Sequence, residues 1–160
     1  LQAPGSILGA WQFNSEKPKK LSFLCGAAFL TTKEILEKTN GLDENFFFYN
    51  EDIDLCKQII KLGYPLIYYP KASLVHLGGQ STATRRAGSI IEGYRGGLYL
   101  CYKHYPKIIY LLYRMVLFID LIPRLVLNSL LSVVNKNKRD IAKAYLTIVK
   151  INMTNDIFLK

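Results

Sequence analysis

The chain has 160 residues, half of them apolar, and a formal net charge of +9. That length holds one domain, or one domain with a helical appendage, and the apolar share excludes wholesale disorder. Cys25, Cys56 and Cys101 are widely spaced with no CxxC pair, which argues against a disulfide framework and against a zinc ribbon.

The charge is uneven. Residues 1–99 carry 11 Lys and Arg against 9 Asp and Glu, a net +2, whereas residues 100–160 carry 10 against 3, a net +7. A basic patch calls for an anionic partner: nucleic acid, an anionic lipid surface or a phosphorylated substrate. The same C-terminal part is rich in Leu, Ile, Val and Tyr, which favours a membrane surface.

The start, Leu-Gln-Ala-Pro-Gly, has no initiator Met, basic n-region or apolar h-region. It reads as a piece of a longer protein and not as a signal peptide. Residues 1–20 read as loop or an incomplete element. Leu21–Leu24 and Ala27–Thr31, split by Gly26, suit a strand, a tight bend and a second strand. Thr32 opens a short helix that Asn40-Gly41 stops.

Residues 50–62 form the clearest helix of the first half. Asn50 is its expected cap, Glu51, Asp52 and Asp54 fill its first turn, and Lys61 and Gly63 close it. Leu55, Ile59 and Leu62 recur at helical spacing and predict the buried face. Residues 65–70 read as a strand between prolines, followed by Ser73–His76 and a Gly78-Gly79 turn. Strands alternating with helices predict an α/β domain.

Residues 89–105 predict one helix, weakened by Gly93, Gly96 and Gly97. Pro106 suits the first turn of a second, which runs to about Asn135 with Pro123 expected to kink or break it. No charge-free run reaches the roughly 20 apolar residues of a membrane span. A third helix over 140–151 follows the basic loop at Lys136.

Chemistry concentrates at Glu51, Asp52 and Asp54. Three carboxylates at one helix N-terminus, preceded by Phe46, Phe47, Phe48 and Tyr49, fit a general base, and they fit plain helix capping as well. His76 fits a structural role or a metal ligand. Ser81, Arg85 and Arg86 lie in a Gly/Thr-rich loop that fits either a solvated segment or a contact to phosphate oxygens.

The ordered series Gly26-Ala27-Ala28, a short helix, Gly41-Leu-Asp-Glu, Phe-Phe-Phe-Tyr, Glu51-Asp52-Ile-Asp54-Leu, Gly63, Pro70 and His76 resembles the family 2 glycosyltransferases, above all their bacterial rhamnosyltransferase-like members. The resemblance covers roughly residues 20–82. It implies an α/β fold, with residues 1–82 the C-terminal half of a GT-A (nucleotide-diphospho-sugar transferase) domain and residues 83–160 an α-helical tail. It implies inverting transfer from a nucleotide-diphosphate sugar donor to a saccharide or lipid-linked acceptor in surface polysaccharide synthesis. Asp52 corresponds to the catalytic base. Glu51, Asp54 and Tyr49 fall on the acceptor side, although Asp54 fits a capping role equally. Arg85 and Ser81 fall on the donor diphosphate, and His76 on a divalent cation, Mn or Mg.

No Asp-x-Asp precedes residue 40. The main cation ligands and the nucleotide-binding half are therefore expected outside this chain, which is expected to be inactive alone. In the tail, Lys103, Lys107 and Arg114 are spaced to share one helical face beside apolar residues, predicting peripheral attachment to an anionic surface at the cytoplasmic face of the cell membrane. Basic residues diluted by aliphatics, with no recognition module, do not predict nucleic-acid binding. The rival class is a non-catalytic membrane-surface or interaction module.

Overall fold

The computed structural model describes residues 16–74 and 85–158. In chain order they form strand β1 (Lys19–Leu21), helices α1 (Lys33–Thr39) and α2 (Glu51–Lys61), strand β2 (Leu66–Tyr68), and helices α3 (Arg86–His104), α4 (Lys107–Leu131) and α5 (Lys136–Thr154).

This mostly helical arrangement overturns the expected α/β architecture. Among the described residues β1 and β2 are the only strands, and they pair antiparallel, with Leu21 opposite Leu66. An α/β domain needs parallel strands joined by crossovers and buried on both faces. Here Lys19 and Lys20 are exposed, and Ala27–Thr31 forms no strand, with Leu30 fully exposed. Short apolar runs meet the strand pattern locally, but a sheet requires partners, and these runs lack them. The region does not have the form of half a GT-A domain.

The first helices obey their local signals. Thr32 Oγ1 accepts the Ile35 N–H at 3.3 Å. Asn40 and Gly41 take left-handed φ of 56° and 71°, and the Gly41 N–H returns to the Leu36 carbonyl at 2.8 Å. On α2, Leu55, Cys56 and Ile59 are buried against Leu66, Leu24 and Phe29. Leu62 is exposed as the C-terminal cap, and Cys56 completes the buried face in its place.

The second half is a three-helix assembly in which α5 packs on both α3 and α4. Leu98, Leu121 and Ile148, one from each helix, are fully buried, each contributing about 1.5–3 kcal/mol. Pro106 separates α3 from α4 as expected, whereas α4 continues unbroken through Pro123. Packing on α5 holds the helix across the bond that proline cannot make. The Arg114 guanidinium donates to the Asn152 and Met153 carbonyls, and Asn152 Nδ2 donates back to the Arg114 carbonyl at 3.1 Å. Among the described residues no helix is long and apolar enough to cross a membrane.

Candidate active site

The segment from Asp43 to Asp54 leaves α1, crosses α3 and enters α2. It is seated first on glycines. Tyr49 and Asn50 both hold φ near 70°, a left-handed conformation that costs a bulky residue about 1–3 kcal/mol. Asn50 Nδ2 donates to the Gly93 carbonyl at 3.2 Å. A Cβ on Gly96 would lie 2.7 Å from Asn50 Nδ2 and 3.0 Å from the Tyr49 carbonyl oxygen. The glycines that weaken α3 in sequence thus let the acidic segment approach its backbone. Asn50 spends its side chain on this seat and makes no cap to α2.

The segment is also clamped at both ends by the last turn of α3. Lys103 Nζ lies 2.7 Å from Asp43 Oδ2 and 2.9 Å from Asp54 Oδ2. Tyr99 donates its hydroxyl to Asp43 at 2.8 Å. His104 Nε2 lies 2.6 Å from Asp54 Oδ1, and Gln58 donates to Asp54 Oδ2 at 2.7 Å. Burial tends to raise the Asp43 pKa, but the Lys103, Asn45 and Tyr99 bonds outweigh it and hold the carboxyl well below the usual range. Burial likewise opposes the Lys103 charge, and the two carboxylates raise its pKa regardless. Burial lowers the His104 pKa, with Asp54 opposing.

Between these anchors sit the acidic residues singled out in the sequence. Asp52 is half-buried. Its Oδ2 accepts the Gly26 N–H at 2.9 Å and its Oδ1 the Ile53 N–H at 2.8 Å. Gly26 comes close enough that a Cβ there would lie 3.3 Å from Asp52 Cβ. Glu51 Oε2 is buried and accepts no hydrogen bond among the described residues. The Tyr49 ring is exposed and meets Phe48 edge-on at 4.3 Å.

Tyr49, Glu51 and Asp52 are neighbours in sequence at the head of α2 and keep some exposure, whereas Asp54 does not. Asp54 is fully buried, with its oxygens taken by Lys103, His104 and Gln58. Arg85 and Arg86 are exposed at the head of α3. His76 and Ser81 lie outside the described residues. Lys103, read from the sequence as a lipid-facing cation, Gly93 and Gly96, read as weakening α3, and His104, given no role there, are the participants that sequence reasoning missed. The signal for Lys103 was charge complementarity, since a cation in the last turn of α3 answers two carboxylates. A cleft of about 360 Å³ opens beside the same segment, lined by Glu44, Asn45, Phe47, Glu92, Arg95, Ile157 and Phe158. It does not include Asp52.

Among the described residues no three His, Cys, Asp or Glu side chains converge to hold a metal ion. Asp43 and Asp54 are already committed to cationic and N–H donors. The described side chains do not fit a divalent cation.

Two curated proteins of Mycobacterium tuberculosis, from strains CDC 1551 / Oshkosh and ATCC 25618 / H37Rv, are 34% identical to this chain over 68 residues. Both are named N-acetylglucosaminyl-diphospho-decaprenol L-rhamnosyltransferase. The similarity is to a glycosyltransferase. The matched stretch covers 42% of this chain and only 22% of the length of each relative. No family model matches the chain. No solved structure matches it either.

Proposed function

We propose that this chain carries the acceptor-side chemistry of an inverting glycosyltransferase, with Asp52 as general base. The observation that carries this reading is the pair formed by an oriented Asp52 and an unsatisfied neighbour. Two backbone N–H groups fix the Asp52 carboxylate, and each oxygen keeps a further lone pair for an incoming hydroxyl. Glu51 Oε2 is a buried acceptor without a donor, a condition that costs about 1–3 kcal/mol. A sugar hydroxyl donating to Glu51 relieves that cost and delivers a neighbouring hydroxyl to Asp52. The exposed Tyr49 ring offers an apolar face to the acceptor ring.

In the step itself, Asp52 takes the proton of an acceptor hydroxyl. The freed oxygen forms a bond to the anomeric carbon from the face opposite the nucleotide diphosphate. The bond from that carbon to the diphosphate oxygen breaks, and its electron pair leaves with the diphosphate. One displacement inverts the anomeric configuration. Arg85, exposed at the head of α3, suits the departing diphosphate as a forked cation. Asp54 serves as a positioning residue that ties α2 to α3.

The similarity to a rhamnosyltransferase supports the reaction class, and the printed name of that relative suggests a lipid-linked saccharide as acceptor. The experiment is a transfer assay on the intact gene product with deoxysugar nucleotide diphosphates and a prenyl-diphosphate-linked amino sugar, the product anomer being read by NMR. Transfer with inversion is expected. Transfer with retention overturns the base mechanism, and no transfer with any donor favours a non-catalytic module.

A further inference from the structure

The face of α4 turned away from the core bears no charge over its whole length. Tyr110, Leu117 and Leu121 are buried and mark its inward side. Opposite them, Ile108, Leu112, Met115, Ile119, Val126 and Leu130 recur at helical spacing, and every one of them is exposed. Ile119 is 75% exposed and Leu130 68%. The helix is about 37 Å long at 1.5 Å per residue. Its charged residues lie off this face: Arg114 donates to carbonyls of α5, and Asp120 and Arg124 pair with each other at 2.8 Å. The apolar strip then continues around the turn, where Val133 and Val134 are each 85% exposed.

Cations stand at both ends of this strip. Lys107 is exposed at its start, beside the half-exposed rings of Tyr102 and Tyr105 and a cleft of about 370 Å³. Lys136, Lys138 and Arg139 follow Val134 after Asn135. Between Lys107 and Arg139 the only acid is Asp120, already held by Tyr94 and Arg124. A second copy of the chain laid on this face would set cation against cation, with only Asp140 beside Arg139 and the already paired Asp120 to offset them. An anionic lipid surface neutralises both ends and covers the aliphatic middle. Tyrosine beside lysine at one end matches the chemistry of the headgroup layer.

From this we infer that the outer face of α4, with the Val133–Val134 turn, lies in the plane of an anionic bilayer, and that Lys107, Lys136, Lys138 and Arg139 contact its headgroups. This replaces the sequence-based assignment of Lys103 and Arg114 to lipid, because both are committed inside the protein.

The test is co-flotation of the 160-residue chain with vesicles of phosphatidylcholine alone or with 30% phosphatidylglycerol. Strong binding to the anionic vesicles is expected. Replacing the four cations by Gln lowers affinity by about fivefold for each that meets the surface, and added salt does the same, since screening acts over about 8 Å at physiological ionic strength. Met115→Glu with Ile119→Glu abolishes binding while the circular dichroism spectrum and melting temperature stay unchanged, both sites being exposed. Equal binding of the Glu pair and the parent overturns the proposal. So does absence of binding to the anionic vesicles, and a dimer, seen by light scattering, that Ile119→Glu splits would then assign the face to a second copy.

Discussion

His104 Nε2 stands 2.6 Å from Asp54 Oδ1, and both side chains are almost wholly buried. On its other side, His104 Nδ1 lies 3.0 Å from Lys61 Nζ. A neutral ring serves both contacts, since Nε2–H donates to Asp54 while Nδ1 accepts from the Lys61 ammonium. The contact fastens the start of α2, where Glu51 and Asp52 sit, to the end of α3.

Stability follows from that ring. The folded pKa of His104 is depressed by burial. Below the unfolded value of about 6.5 the unfolded chain therefore binds more protons than the folded one. The stabilisation is fully present above that value and is lost as pH falls from it toward the depressed folded pKa. We expect the melting temperature to drop between pH 7.5 and 5.5, and His104→Gln to flatten that dependence. Asp43, held low by Lys103, Asn45 and Tyr99, adds its loss in a separate window beginning near pH 4.

Removing Lys103 leaves two carboxylates without their shared cation. We expect Lys103→Met to lower stability by about 3 kcal/mol, the low end for a buried pair because the lysine retains some exposure. Asp54→Asn in the same background should recover part of it, and a double-mutant cycle by urea unfolding measures the coupling.

Gly96 and Gly88 make a matched pair. Gly96→Ala forces a Cβ against Asn50 and the Tyr49 backbone, and we expect a loss of about 1–3 kcal/mol with weakened acceptor binding. Gly88→Ala meets nothing, and helix propensity predicts a gain of up to about 1 kcal/mol. Chemical denaturation distinguishes the two.

These residues also mark the limit of what the sequence discloses. Thr32, Asn40 and the acids of α2 act over a few residues, so α1 and α2 are legible from local pattern. The grouping of Glu51 with Asp52 is legible for the same reason. The pairing of Leu21 with Leu66 is a long-range event, and short apolar runs could not tell an antiparallel pair from an α/β sheet. Gly93 and Gly96 look like helix breakers until the segment they admit is in view. Lys103 looks like a lipid-facing cation until Asp43 and Asp54 fold onto it from 60 and 49 residues away.

Glu51 separates a binding role from a structural one. Its buried oxygen has no donor, so Glu51→Gln should leave stability unchanged or raise it slightly. The same variant should raise the acceptor KM with little change in donor affinity. Loss of stability with unaltered acceptor KM would assign the residue to the scaffold.

The most direct measurement is the turnover of Asp52→Asn in the intact gene product, taken with its affinity for the nucleotide-diphosphate sugar. Asparagine keeps the size of the side chain, and its one oxygen can still accept the N–H of Gly26 or of Ile53, though not both, but it cannot take the acceptor proton. The account predicts a 10²–10⁴-fold fall in turnover, on the order typical of losing a general base, with donor affinity unchanged. Turnover near that of the parent, in a variant that melts normally, would contradict it.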